Sequence, residues 1–458
     1  MPPPGRKLAF AAAFLGLLLL VRLDRLTRQA PASNPMLELG TAAWAKNRSG
    51  WLLDVADRLE CSRLIAGNAT PVERAFARSW AYSDEFFFAR FDPRTDLCTN
   101  LRRVFDFDLR APTAEEAAFP LGFGMIVYKD LAQFYLALSA FYRPQNAHCI
   151  VVDSKSSEEF RRGVHATAAC LPNVTVIEVG PIEWCTRSVL AAQFACFERL
   201  VHSAHPWRYY QYVTGFDVPL RTNEEAVWVL RELNDSVVFE HLGGQTIPLE
   251  GVWDAAVGLR VFSTSMASVV SRRAADDLLR PPAHSAVTHR LFRRLMNVTK
   301  RRPNVLYPKA CVDELFFGTL FSNKNVFPVF GSFDGLALIR ANIMSWTSAR
   351  DPQVPADRPL RRPQLARFQV WEQAECKGTY RRYSCAYGLN DLPQIAAAHE
   401  LFAHKFHADF DWAAAFCLQA ELRRPDRSPR PPPPVRRLPH VRLHNGEGVE
   451  QIFAKRSE

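Results

Sequence analysis

Two adjacent acids, Asp313 and Glu314, lie directly before an apolar stretch with helical spacing, and carboxylates at such a position could take part in catalysis. A carboxylate at that position either accepts a proton as a general base or supplies a first-turn charge that suits the helix dipole. Asp153 and Asp217 each follow a short run of residues with a strand pattern. An acid at the carboxyl end of a strand either holds a ribose hydroxyl, as in nucleotide-binding α/β folds, or caps a helix or turn.

The elements that must position these acids alternate between strand and helix patterns. Strands are predicted at residues 123–128, 149–153, 174–179, 209–215 and 237–241. Helical spacing predicts helices between them, and Ser156 with Glu159 and Thr222 with Glu225 resemble capping boxes that begin two of these helices. This alternation predicts an α/β fold with a mostly parallel sheet, helices on both faces and ligands at the carboxyl ends of the strands. The periodicity weakens after residue 242.

Composition excludes several classes of protein. The chain has 458 residues, 48% of them hydrophobic, which is too apolar and too long for a disordered protein or a small disulfide-stapled module. The net charge is +10, but it falls to +4 without the seven arginines and one aspartate of residues 423–442, so nucleic-acid binding is a weak hypothesis. Residues 431–434 are four consecutive prolines, and residues 423–458 are therefore predicted to be a disordered tail.

The N-terminus and the sequons indicate the compartment. Residues 8–21 form an apolar run that is followed by arginines rather than by a small-residue cleavage site. The run is either the core of a cleaved signal peptide or an uncleaved signal anchor, and its flanks favour the anchor. Five N-glycosylation sequons lie beyond it, at Asn47, Asn68, Asn173, Asn234 and Asn297. With ten scattered cysteines, they favour a lumenal body over a cytosolic one.

Several segments taken together resemble the family that contains the core-2 and I-branching β-1,6-N-acetylglucosaminyltransferases and the peptide O-xylosyltransferases. They are residues 142–155, 215–223, 313–314, 366–371, 376–385 and 399–406. The resemblance implies a single-pass type II protein of the Golgi membrane. Its parts would be a cytosolic tail at 1–7, an anchor at 8–26, a stem at 27–60, a GT-A-like catalytic domain at 61–422 and the tail at 423–458.

The resemblance also implies a set of disulfides. The family's cysteine positions fall on four pairs, which are Cys61 with Cys417, Cys98 with Cys170, Cys149 with Cys196, and Cys376 with Cys385. Cys185 and Cys311 have no counterpart, so they either pair with each other or stay free.

The mechanism that the resemblance implies is an inverting displacement at the anomeric carbon of a UDP-sugar. Glu314 matches the base that takes the proton of the acceptor hydroxyl. Asp153 matches the acid that contacts the nucleotide, and Asp217 is expected beside the donor pocket, with a structural turn role as the alternative. Arg382 and Lys405 match the basic residues that bind the diphosphate. Arg381 competes with Arg382 for that role.

No metal and no cofactor are expected, and the UDP-sugar is a substrate. Two literal D-x-D strings, at residues 106–108 and 409–411, do not follow the fourth strand, where a GT-A metal site would be built. On the acceptor side Trp371 aligns with a family tryptophan, but Gln373 replaces an aromatic residue of the branching enzymes. The donor side thus looks retained, while the acceptor is left open.

The leading hypothesis is an inverting Golgi glycosyltransferase that moves N-acetylglucosamine from UDP-GlcNAc to the 6-hydroxyl of GalNAc or galactose in a glycan. A xylosyltransferase-like transfer to a protein serine is the alternative enzyme. A catalytically silent, lumenal glycan-binding protein is the alternative from another class. The expected partners are the UDP-sugar, a glycan or glycoprotein acceptor and the Golgi membrane, but not nucleic acid.

Overall fold

The computed structural model describes residues 50–107, 111–241, 252–298, 311–340, 365–371 and 373–448. At its centre lies a six-stranded sheet in the order β3-β2-β1-β4-β9-β6. Its strands are β1 (Leu121–Val127), β2 (Ala147–Asp153), β3 (Val174–Val179), β4 (Tyr209–Thr214), β6 (Val238–His241) and β9 (Thr264–Ser271). The first four of that order are parallel, whereas β9 is antiparallel to β4 and β6. The predicted α/β fold with a mostly parallel sheet is confirmed.

Smaller sheets and helices surround this centre. β5 (Asp217–Pro219), β10 (Arg367–Phe368) and β13 (Phe402–His404) form a three-stranded sheet, and two hairpins join β7 (Val252–Asp254) to β8 (Leu259–Val261) and β11 (Thr379–Arg381) to β12 (Ser384–Ala386). The α-helices of the described ranges are α1 (Trp51–Arg58), α2 (Cys61–Ala66), α3 (Pro71–Ser79), α4 (Asp84–Phe88), α5 (Leu97–Val104), α6 (Ala114–Ala118), α7 (Leu131–Phe141), α8 (Glu158–Cys170), α9 (Arg187–Val201), α10 (Asn223–Glu232), α11 (Arg272–Leu279), α12 (Pro282–Met296), α13 (Phe316–Phe321), α14 (Leu392–Ala396), α15 (Trp412–Glu421) and α16 (Pro439–His444).

The central sheet is buried on both faces. Along β2, Ile150 and Val152 belong to one apolar cluster, whereas Cys149 and Val151 belong to a second cluster on the opposite face. Successive side chains of a strand point to opposite faces, so a continuous apolar run needs a packed layer on each side. Helices supply both layers, as the sequence predicted.

Cap geometry agrees with one predicted helix start and corrects the other. Thr222 and Glu225 form a reciprocal capping box at the start of α10, with N–O distances of 3.3 and 3.0 Å. α8 instead begins after Ser157, whose hydroxyl accepts a hydrogen bond from the Phe160 N–H. The predicted box of Ser156 with Glu159 is wrong because the Ser156 hydroxyl donates to the backbone carbonyl of residue 128.

Five disulfides cross-link the described residues. The structure joins the four pairs that the resemblance implies, which are Cys61–Cys417, Cys98–Cys170, Cys149–Cys196 and Cys376–Cys385. Cys185 and Cys311, which the sequence left open, form the fifth. This fifth bond ties the loop before α9 to the segment that carries Asp313 and Glu314.

The prediction of a disordered tail is wrong for residues 423–448, which pack against the rest of the described fold. Arg427 donates two hydrogen bonds, of 2.7 and 3.1 Å, to the buried carboxylate of Glu225. Arg430 donates to a backbone carbonyl at the end of β5, and Val435 and Leu438 are buried in the main core. Proline prevents a helix over residues 431–434, but extended backbone lets the flanking arginines reach buried acceptors.

The predicted anchor at 8–26 and the sequon at Asn47 lie outside the described residues. Within the described ranges, no helix combines the length and the hydropathy that crossing a membrane would require.

Candidate active site

The carboxyl ends of the parallel strands meet at one edge of the sheet, and Asp153 lies there at the end of β2. Its side chain is buried, and one carboxylate oxygen accepts hydrogen bonds from the N–H groups of Lys155 at 2.9 Å and Ile182 at 3.2 Å. The other oxygen lies 3.7 Å from the Lys155 ammonium. The carboxylate is therefore held rigidly at the edge where α/β folds bind ligands.

Asp217, which the sequence also placed on the donor side, points into the protein. Its carboxylate accepts hydrogen bonds from the Thr214 N–H, from Arg367 at 3.4 Å and from His404 at 3.1 Å. Burial alone would raise the pKa of this carboxyl, but Arg367 and His404 outweigh it and hold the pKa below the ordinary value. These contacts favour the structural role that the sequence kept as an alternative, because they fix β5 against β13.

A disulfide-closed hairpin, residues 376–385, carries the basic side chains. Arg382 and Tyr383 form its tip, with φ of 47° and 65°, and both are exposed. Arg381 is engaged by Asp409 at 3.2 Å, whereas Arg382 forms no ion pair with any residue that the structure describes. Of the two competing arginines, Arg382 is thus the one available to a ligand.

Lys405 lies beneath this hairpin. It is 8% exposed, and its ammonium donates to the backbone carbonyl of Arg381 at 2.5 Å. Burial, with the nearby charges of Arg382 and Arg381, lowers the pKa of Lys405 to about 8. A buried ammonium beneath an exposed guanidinium forms a site for a diphosphate, whose charge offsets both the repulsion between the two cations and the desolvation of the ammonium.

Glu314 is positioned by a short 3-10 turn, Val312–Glu314, that begins at the disulfide-bonded Cys311. Its N–H donates to the Cys311 carbonyl at 2.9 Å, and its own carbonyl accepts from the Thr264 hydroxyl at 3.3 Å. Burial and the neighbouring carboxylates of Asp313 and Glu240 raise the pKa of Glu314 well above its usual range. A carboxylate with a raised pKa is a stronger base, which suits the removal of a proton from a hydroxyl.

Asp313 adjoins this base but differs from it in exposure. The side chain is 6% exposed, and one of its oxygens has no hydrogen-bond partner among the described residues. Burial raises the pKa of Asp313 as well. Of the two acids, Glu314 is the less buried, and it is the one that the sequence selected as the base.

Glu240 at the end of β6 is a site residue that the sequence analysis missed. The Trp371 indole N–H donates to its carboxylate at 3.3 Å, and the Tyr380 hydroxyl donates to the Trp371 carbonyl at 2.9 Å. This chain of contacts joins the acids around Glu314 to the basic hairpin. Sequence periodicity gave no sign of it, because Glu240 stands in an ordinary strand without a motif. Its closeness to Trp371 appears only in the fold.

An exposed aromatic pair joins the hairpin to the loop before α9. Trp184 is 51% exposed and Tyr383 is 68% exposed, yet their rings stack with centroids 5.7 Å apart and planes 18° from parallel. Trp184 is followed by Cys185, whose disulfide leads to the segment of Glu314. Ile182 in the same loop donates to Asp153. Contacts thus connect Asp153, Arg382, Lys405, Glu314 and Trp371 around one region.

Other groups of the protein engage the described aspartates of the two D-x-D strings. Asp106 pairs with Arg423 at 3.4 Å, and residue 108 lies outside the described ranges. Asp409 pairs with Arg381, and Asp411 accepts the N–H of Leu389 at 2.9 Å. In the part of the chain that the structure describes, no three His, Cys, Asp or Glu side chains are grouped so as to hold a metal ion.

Comparison with known proteins agrees with this geometry. A family model described as Core-2/I-Branching enzyme matches residues 121–396. The β-1,3-galactosyl-O-glycosyl-glycoprotein β-1,6-N-acetylglucosaminyltransferase 3 of Rattus norvegicus is 25% identical over 397 residues, which cover 81% of this chain and 84% of the relative. The enzyme of the same name from Homo sapiens is 26% identical over 356 residues, covering 70% and 72%.

Among solved structures, the mannosyltransferase Ktr4p from S. cerevisiae is 12% identical and covers 59% of this chain and 82% of its own, but its TM-score of 0.22 is too low to support an argument. The family model spans more than half of the chain and includes the sheet edge with Asp153, the base segment with Glu314 and the hairpin with Arg382. The chain therefore belongs to the core-2/I-branching enzyme family.

Proposed function

We propose that the protein is an inverting glycosyltransferase that moves N-acetylglucosamine from UDP-GlcNAc to the 6-hydroxyl of a GalNAc or galactose residue, forming a β-1,6 branch. Relatives named as β-1,6-N-acetylglucosaminyltransferases support the reaction class. The observation that carries the proposal is the half-buried Glu314 carboxylate, whose pKa is raised partly by Glu240. Hydrogen bonds through Trp371 connect Glu240 to the basic hairpin of Arg382.

The proposed reaction is a single displacement. As the acceptor oxygen bonds to the anomeric carbon, its proton passes to Glu314, and the bond from that carbon to the phosphate oxygen breaks. The departing UDP takes the electron pair, and Arg382 with Lys405 neutralise the charge that it gains. Asp153 holds the nucleotide at the end of β2. No metal is required in this scheme, since the two cations occupy the electrostatic role.

The acceptor binds on the side of Glu240 and Trp371. A carboxylate beside an indole ring combines a hydrogen-bond acceptor for sugar hydroxyls with an apolar face for sugar C–H groups. Glu240 also lies close enough to raise the pKa of Glu314, so an acceptor bound to it presents its hydroxyl next to the base.

The cellular setting is part of the same proposal. Residues 8–26 anchor the protein in the Golgi membrane as a single-pass type II protein, with the catalytic body in the lumen. Five disulfides among the described residues support an oxidising compartment. The catalytic body extends from about residue 51 to residue 448, because the helix before Cys61 and the segment after residue 422 both pack on it.

The test is a transfer assay on the full-length protein in detergent. Labelled UDP-GlcNAc and UDP-xylose are offered with O-glycan acceptors and with a serine peptide, each with and without EDTA. We expect GlcNAc transfer to the glycan at an unchanged rate in EDTA, with a β-1,6 linkage in the product. Xylose transfer to serine would replace the proposed activity with the alternative. Loss of activity in EDTA that Mn²⁺ restores would overturn the metal-independent scheme.

A further inference from the structure

The side chain of Asn173, one of the five sequon asparagines, is built into the fold. It stands between α8 and β3, and its amide nitrogen donates hydrogen bonds to the carbonyls of Arg143 and Asn146, both at 2.8 Å. Its amide oxygen accepts the Tyr142 hydroxyl at 2.7 Å. The two carbonyls can only accept, so the hydrogen-bond pattern fixes which atom is the nitrogen.

This arrangement leaves no position for a sugar on the amide nitrogen. An N-linked glycan replaces one of the two N–H hydrogens with a carbon at about 1.45 Å from nitrogen. Along either N–H direction that carbon would lie about 1.4 Å from a carbonyl oxygen, whereas ordinary C···O contacts begin near 3.3 Å. Rotating the side chain outward would instead break three hydrogen bonds, those to the Arg143 and Asn146 carbonyls and the one from the Tyr142 hydroxyl.

We call the Asn173 side chain with its three hydrogen bonds the Asn173 clamp. This clamp belongs to a larger hydrogen-bond network at the amino ends of the strands, opposite the active site. Asn146 is fully buried and accepts the Leu121 N–H, which begins β1, at 2.9 Å. Its amide nitrogen donates to Asn223 at 2.7 Å, at the first residue of α10. Loss of the Asn173 contacts would therefore loosen the start of β1 and of α10 as well as that of β3.

The other described sequon asparagines differ in this respect. Asn68, Asn234 and Asn297 are exposed, and their side-chain amides form no hydrogen bond with any residue that the structure describes. Each follows or ends a helix, since Asn68 comes after α2, Asn234 after α10 and Asn297 after α12. A glycan on any of the three would extend into solvent without displacing a contact.

We propose that the folded protein carries N-glycans at Asn68, Asn234 and Asn297, and that Asn173 remains unmodified as a structural amide despite its intact sequon. The inference rests on the lumenal location given under the proposed function, because N-glycans are added only there. It separates two uses of the same motif: three sequons accept carbohydrate, and one asparagine serves as a clamp.

The test uses the full chain expressed in mammalian cells. Proteolytic peptides treated with PNGase F in ¹⁸O-water identify each occupied asparagine by mass, because the enzyme removes the glycan and leaves an ¹⁸O-labelled aspartate. Two variants separate the sequon from the clamp: Thr175→Val destroys the sequon and leaves the Asn173 amide in place, whereas Asn173→Gln removes both. We expect Thr175→Val to match the wild type in gel mobility and in melting temperature. Asn173→Gln should keep the mobility but melt several degrees lower.

The three solvent-facing sites are tested one at a time, with Asn68→Gln, Asn234→Gln and Asn297→Gln each expected to increase mobility by one glycan. A variant without a shift would remove that site from the assignment. An ¹⁸O label at Asn173, or a mobility shift in Thr175→Val, would overturn the clamp. Resistance of the whole chain to PNGase F would instead contradict the lumenal location, so the two failures are distinguishable.

Discussion

Glu314→Gln is the substitution that tests the mechanism most directly. The glutamine amide keeps the size and shape of the side chain but cannot take the proton of the acceptor hydroxyl. General-base catalysis contributes about 10²–10⁴ in rate, which corresponds to about 3–5 kcal/mol of transition-state stabilisation. We expect kcat to fall by that factor. UDP binding should remain, because Arg382, Lys405 and Asp153 are untouched.

The same substitution has a predictable effect on stability. The folded pKa of Glu314 is raised above its unfolded value, so the folded state binds the proton more tightly and loses stability as the pH rises through that raised pKa. Glutamine has no such loss. Glu314→Gln should therefore unfold at a higher temperature than the wild type at pH 8, with little difference at pH 5.

The measurements are initial rates of GlcNAc transfer, UDP affinity by calorimetry and thermal unfolding at the two pH values. Glu115→Gln is the matched control, because this partly exposed carboxylate lies on α6, before the amino end of β1. The control should transfer GlcNAc at the wild-type rate. Glu314→Gln with more than a tenth of the wild-type kcat would refute the assignment of the base. Loss of UDP binding would show that the carboxylate acts on the donor instead.

Three further outcomes follow from the site and the fold. Burial lowers the pKa of Lys405 to about 8, so kcat/KM should fall as the pH rises through about 8. Lys405→Arg should extend activity to higher pH, and a wild-type profile that stays flat to pH 9.5 would count against Lys405 as a ligand of the diphosphate. Tyr383→Ala removes the ring stacked on Trp184 and loosens the hairpin. Because such stacking contributes about 0.5–1.5 kcal/mol, we expect KM for the donor to rise about 2- to 12-fold, and an unchanged KM would show that the pair has no role in donor binding. Arg427→Ala leaves the buried Glu225 carboxylate without its ion pair, so the free energy of unfolding should fall by about 3–5 kcal/mol, as measured by thermal unfolding. A change below about 0.5 kcal/mol would instead support a disordered tail.

The strands and helices between residues 121 and 241 could be predicted because their signals are local. The apolar run that ends at Asp153 and the capping pair of Thr222 with Glu225 can each be recognised from a few consecutive residues. Local signals also misplaced one cap, since Ser156 and Ser157 are adjacent and only tertiary contact decides which hydroxyl the helix uses. The pairing of Cys185 with Cys311 stayed open for the same reason.

The parts of the site that the sequence missed depend on contacts between distant segments. Glu240 accepts a hydrogen bond from the indole of Trp371, which is 131 residues away in the sequence. Asp217 has its structural role because a fully buried arginine, Arg367, lies 150 residues further along the chain and faces its carboxylate. The tail has the composition of a disordered segment, and only the buried Glu225 carboxylate on another helix makes its arginines structural.

The contacts between the two ends of the chain determine when the protein can finish folding. Cys61 bonds to a cysteine 356 residues later, and Asp57 on α1 pairs with Arg424. During synthesis, the first helices therefore emerge long before their partners exist, and Cys61 remains a free thiol until α15 has been translated. A chain that ends before Cys417 lacks the partner of Cys61, so premature termination before α15 is complete should yield a molecule with an unpaired cysteine rather than a slightly shortened enzyme.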